Sequence, residues 1–93
     1  MYLITQSEIL DRSGMESYNT EVRAAIKKAG GGDLFTSDRV IAVIGTAPGR
    51  VGVSEFSSVE KAQAWLNSDE RKALAPQRDK TLKFVQQLIV EGH

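Results

Sequence analysis

The sequence predicts an α+β domain built in the order β-α-β-β-α-β. Three observations carry that prediction. Two stretches, opening near Ser13 and Ser57, space apolar residues by three and four, the signature of one buried helical stripe. Four further stretches are rich in β-branched and aromatic residues. Glycines 30–32 and the Pro48-Gly49 pair punctuate them. At 93 residues the chain suffices for a single domain, residues 1–93.

Residues 2–9 read as the first strand, with Tyr2 and Ile4 on one face and Leu3, Thr5 and Ile9 on the other. Ser13 and Glu16 then have capping-box spacing, and Asp11 is a turn or cap residue. The stripe Met15, Tyr18, Val22, Ala25, Ile26, Ala29 forms one helical face. Lys27 and Lys28 suit the negative end of that helix, and the glycines stop it. Residues 33–44 read as a strand faulted at Ser37–Arg39, either by a bulge or by a tight turn between two strands. A loop follows at 45–49, then a strand at 50–56. Ser57 and Glu60 repeat the capping-box spacing and open a helix whose buried stripe is Val59, Ala62, Trp65 and Leu66. Asn-Ser-Asp breaks it. Asn67 or Ser68 caps a new short helix, with Asp69 and Glu70 in its first turn, Leu74 buried and Pro76 as its stop. Residues 82–91 form the last strand, with Leu82, Phe84, Leu88 and Val90 on one face and Val85 and Ile89 on the other.

This order is the ferredoxin-like, split βαβ plan: a four-stranded antiparallel sheet with both helices on one face. The second face should be polar if it met water. Instead "VIAVI" at 40–44 is apolar throughout, and the last strand has apolar residues on both sides. The economical cover is the same face of a second copy, giving a homodimer. Size argues the same way, because a domain this small commonly needs a disulfide, a metal or a partner subunit, and the chain has no cysteine.

Composition excludes several functions. Lys+Arg and Asp+Glu are 12 each, so no basic excess points to nucleic acid. No run of about 18 apolar residues offers a membrane span, and the N-terminus lacks a signal-peptide pattern. The cytoplasm is the expected location. With only a terminal histidine, His93, there is no Cys–His or Ser–His–Asp nucleophile and no ordinary zinc site; no cofactor is expected. "GGGD" follows a helix and precedes a strand, the reverse of a phosphate-cradling loop.

The chain resembles the dimeric α/β-barrel superfamily, and within it a family of short proteins known only as domain of unknown function thirteen-thirty. The carriers span nearly the whole sequence: "YLI" in the first strand, Tyr18, Gly30-Gly31, "RVGVSEF", the run from Ser58 to Leu74, Arg78 and the closing "IVEG". The most specific piece is Trp65-Leu66-Asn67-Ser68. Asp69 and Arg71 depart from the family pattern, which has proline and tyrosine there. The resemblance implies a homodimer and a cavity between sheet and helices, with no agreed activity.

Glu55 follows Val51 and Val53 by strand parity, on a face expected to be buried, where desolvation would raise its pKa and suit it to proton transfer. Its alternative is a solvated rim position or an ion pair. Arg78 has a fork suited to a carboxylate or phosphate, or else pairs with Asp79, Glu70 or Glu55. Arg50 at a strand mouth is a weaker version. Trp65 and Tyr18 are core residues of their stripes that could also wall a ligand. Asn67 and Ser68 are caps first and ligand donors second. Three readings follow. One is a small-molecule-binding homodimer. Another is a cofactor-independent isomerase or monooxygenase acting on a small aromatic or acidic metabolite, with Glu55 or Tyr18 moving the proton and Arg78 as anchor. The third is a structural or regulatory dimer with no ligand.

Overall fold

The computed structural model describes residues 1–92; His93 lies outside them. The elements are β1 (Tyr2–Ile9), a 3-10 turn (Arg12–Gly14), α1 (Met15–Lys28), β2 (Gly32–Ser37), β3 (Arg50–Glu55), α2 (Val59–Leu66), α3 (Asp69–Thr81) and β4 (Leu82–Val90). The four strands form one sheet in the order β2-β3-β1-β4, antiparallel at every pairing. This is the α+β, ferredoxin-like order that the sequence predicts. The core lies between sheet and helices. Leu3, Ile26, Phe56, Ala62 and Trp65 are buried there, with Val22, Leu74 and Ile89 packed against them.

Local chemistry moves several boundaries. Asp11 starts the first helical segment: its Oδ1 accepts from the Ser13 amide at 2.9 Å and the Ser13 hydroxyl at 2.6 Å. Ser13 is thereby spent inside the 3-10 turn, so the Ser13–Glu16 capping box does not form, and the residue before α1 is Gly14. The second cap is one residue later than predicted. Ser58, not Ser57, accepts from the Lys61 amide at 3.2 Å.

The second strand stops at Ser37 instead of continuing to Ile44. Its partner β3 begins at Arg50, which leaves residues past Ser37 with no strand to pair with. The Ser37 hydroxyl accepts from the Arg39 amide at 3.1 Å, a local bond that turns the chain out of the ladder. "VIAVI" is therefore loop, and Ile41, Val43 and Ile44 are 90–95% exposed. It contributes nothing to the second face of the sheet.

Pro76 does not stop α3, which continues through it to Thr81. Pro76 and Lys72 both lie on the exposed side, where giving up one backbone bond costs least. The Thr81 hydroxyl donates to the Gln77 and Arg78 carbonyls, both at 3.0 Å. The Thr81 carbonyl in turn accepts from the Leu10 and Asp11 amides. That knot ties the end of α3 to the end of β1.

β4 is bulged. Gln6 faces Gln86 but Ser7 faces Phe84, so Val85 is an extra residue. One extra residue exchanges faces for everything beyond it. Leu82, Phe84, Gln87 and Ile89 are the more buried set, while Val85, Leu88 and Val90 are exposed. Strict alternation misassigned Leu88 and Val90 for this reason.

The second sheet face carries the row Phe35–Val53–Ile4–Leu88 across all four strands. Phe35 is 52% exposed and Leu88 41%. The molecule measures 32 × 30 × 17 Å. Its thinnest dimension accommodates one sheet and one helical layer of about 10 Å, so no element of the chain itself covers that face. Among the described residues no helix is long and apolar enough to cross a membrane.

Candidate functional site

A cavity of about 70 Å³ lies between the sheet and the three helices. Its floor follows the register. One row holds Arg50, Ser7 and Phe84; the next holds Thr36, Gly52, Thr5 and Gln87; a third holds Ser54 and Leu3. Gly52 leaves the centre of this floor without a side chain. Tyr18, Val22 and Ile26 descend from α1 at successive turns, and Trp65 comes from α2. Arg71, Leu74 and Arg78 share one side of α3 at i, i+3 and i+7. A wider, open basin of about 400 Å³ shares Arg71, Arg78 and Phe84 with the cavity and forms its outer vestibule.

Three guanidiniums therefore meet in this space, each held differently. Arg50 is only 7% exposed, and its Nη2 donates to the neutral amide oxygen of Asn19. Arg71 donates from Nη1 to the Leu66 carbonyl at 3.1 Å and from Nη2 to Gln87 Oε1 at 3.2 Å. Gln87 passes the constraint on, donating to Thr5 Oγ1 at 3.0 Å. Arg78 donates to the exposed Asp79 carboxylate at 3.2 Å, and its guanidinium stands 5.2 Å from the Phe84 ring centre, a cation–π contact. Asp33 is the carboxylate of the lining, and Arg23 outside the cavity holds it at 2.9 Å. Among the described residues no group of three or more His, Cys, Asp or Glu side chains is placed to bind a metal ion.

Burial pushes the Arg50 guanidinium below its ordinary value. Arg71 moves the same way, by burial first and by repulsion from Arg78 second. Burial raises the Tyr18 phenol above its ordinary value, against a pull from Arg78, Arg50 and Arg71. The phenol is thus a neutral donor at neutral pH. A raised folded-state value is lost stability at high pH: above about pH 10 the unfolded chain releases the Tyr18 proton while the fold retains it. Urea denaturation across that range should show stability falling with rising pH, and Tyr18→Phe should flatten the fall. An unchanged slope would show that Tyr18 makes no such contribution.

The structure brings Tyr18, Arg50, Trp65 and Arg78 together at the cavity. It does not bring Glu55, Asn67 or Ser68 to it. Glu55 is exposed on the second sheet face, opposite Tyr2 and Gly32. It does share parity with Val51 and Val53, but the cavity face is the alternate set, Arg50, Gly52 and Ser54. Asn67 closes α2, its amide donating to the Gln63 carbonyl at 3.0 Å. Ser68 caps α3: its hydroxyl donates to the Trp65 carbonyl at 2.7 Å and accepts from the Arg71 amide at 3.2 Å. Ser68 thereby links the backbones of Trp65 and Arg71. Ser68→Ala should cost about 1 kcal/mol in urea denaturation, the usual loss for an N-cap. No measurable cost would show that the cap is dispensable.

Sequence reasoning missed Arg71 and the polar floor of Thr5, Ser7, Thr36 and Gln87. A signal for Arg71 existed in its seven-residue spacing from Arg78. Treating Pro76 as a helix stop separated the two.

The whole chain, residues 1–93, matches the family described as domain of unknown function DUF1330. Three solved structures share the fold. HapK from Hahella chejuensis superposes with a TM-score of 0.67 at 12% identity, covering 99% of this chain and 91% of its own. The RPA0582 protein of unknown function from Rhodopseudomonas palustris gives 0.69 at 11% identity, covering 98% and 82%. A candidate antibiotic biosynthesis monooxygenase from Chloroflexus aurantiacus gives 0.53 at 18% identity, covering 99% and 95%. At these identities the likeness extends to fold alone. No curated protein matches the sequence significantly. The chain thus belongs to the DUF1330 family, and its ferredoxin-like fold is the one these solved structures share.

Proposed function

We propose that this protein is a small-molecule-binding homodimer whose ligand occupies the cavity between sheet and helices. The observation that carries the binding reading is the cavity lining itself. Apolar walls from Leu3, Ile26, Trp65 and Phe84 surround a few converging polar groups, the usual composition of a ligand site. The uncovered apolar row Phe35–Val53–Ile4–Leu88 supports a second copy across the sheet, since a monomer seldom exposes such a patch. Native mass spectrometry of freshly purified protein tests both parts. A dimer carrying extra non-covalent mass is the expected result. A stable monomer would overturn the dimer, and a bare dimer that takes up no added small molecule would overturn the binding reading.

One observation favours an enzymatic variant, a cofactor-independent isomerase or monooxygenase. Tyr18 offers a neutral phenol beside three guanidiniums, an arrangement able to donate to a developing oxyanion. Under that variant Tyr18→Phe abolishes turnover of a bound metabolite while its affinity persists. Glu55→Gln should leave both unchanged, because Glu55 lies on the other face of the sheet.

A further inference from the structure

We infer that the ligand is an organic acid with a flat apolar body, its carboxylate held by Arg50 and Arg71. This rests on the binding reading above and adds the ligand's chemical class. The charge balance of the cavity carries it. Arg78 has a carboxylate partner in Asp79, and the lining carboxylate Asp33 is occupied by Arg23. Arg50 and Arg71 bond only to neutral oxygens, those of Asn19, Leu66 and Gln87. Two guanidinium charges thus line the cavity with no carboxylate bonded to either, Asp33 acting on Arg50 only from a distance. A buried charge without a bonded partner is costly, and among the described residues no acid forms an ion pair with either of these two. An incoming anion does.

The geometry narrows which anion. A guanidinium presents five N–H donors in a planar fork that matches a carboxylate edge. Arg71 keeps three of its five after binding Leu66 and Gln87, and Arg50 keeps four after binding Asn19. Both therefore retain donors for an incoming carboxylate. The remaining walls are the Trp65 and Phe84 rings and the aliphatic Leu3, Val22 and Leu74, over a floor left open at Gly52. They suit a flat apolar body.

Trp65 is the only tryptophan, so its indole N–H signal in a ¹H–¹⁵N spectrum reports the cavity directly. The experiment titrates the full-length protein with benzoate, cinnamate and 2-naphthoate, each against its own primary amide, and with phenyl phosphate. Wild type, Arg50→Met and Arg71→Met are compared, each checked for native circular dichroism. At least one acid should shift the indole signal and bind about tenfold or more tightly than its amide. Each arginine variant should lose that preference and keep its weak affinity for the amide. Amides binding as tightly as acids would overturn the inference and leave the binding reading standing. Phenyl phosphate binding more tightly than every acid would overturn the carboxylate assignment in favour of a phosphate ester. No binding by any compound would count against both.

Discussion

Phe56→Ala should cost the fold about 3–5 kcal/mol, the range for emptying a buried aromatic site. Phe56 is 2% exposed and the largest fully buried side chain. Its surroundings have little freedom to collapse. The Phe56 amide is tied to the Met1 carbonyl at 2.8 Å. The ring also lies against Gly31: a Cβ added there would come within 2.5–2.9 Å of three ring atoms. The cavity left by truncation would therefore be walled partly by backbone, which relaxes poorly. Against a total stability of about 5–15 kcal/mol, such a loss leaves a marginal protein. The midpoint of urea unfolding at constant slope measures it. Gly31→Ala strains the same contact in the opposite sense and should cost about 1–3 kcal/mol by overpacking. A cost for Phe56→Ala below about 1 kcal/mol would mean that the core adjusts around this ring.

Arg50→Met should act the other way and stabilise the protein by about 1–4 kcal/mol, as replacement of buried charge by apolar volume often does. Methionine keeps a flexible apolar stem in a site that is 93% buried by complement of the 7% exposure. Asn19, which loses its donor, is only partly buried and can turn to water. At roughly 4–8 °C per kcal/mol for a domain this size, the rise in Tm is easily read. Greater stability together with lost acid binding is the signature of a residue retained for function at the expense of the fold. Destabilisation by more than about 1 kcal/mol would instead make Arg50 part of the scaffold and remove the main support for an anionic ligand.

The element order was legible because its signals are local. The Trp65 stripe, the Asp69–Glu70 first turn and the glycine triplet each act within a turn or two of chain. What the sequence hid depends on distant partners. "VIAVI" has the composition of a strand, but a strand needs a neighbour, and β3 starts too late to provide one. The bulge at Val85 is a property of the β1–β4 pairing and leaves no mark on β4 alone. The site divided on the same line. Tyr18 and Trp65 follow from helical stripes. Arg71 required knowing that α3 survives Pro76, and Glu55 required knowing which strand parity faces the helices.

The cavity's cations are all arginines, and this has a consequence for proton exchange. Guanidinium stays protonated at any pH the fold survives. Tyr18, raised by burial, holds its proton well past neutrality. From about pH 6 to about 9 these groups keep one charge state, and they add no proton uptake or release of their own when a ligand enters. An acid ionising near 4 should then bind with one affinity, and with the same apparent heat in buffers of different ionisation enthalpy, across that whole span. Any step in the binding curve between those limits would belong to the ligand or to a group outside the cavity, not to the arginines or Tyr18.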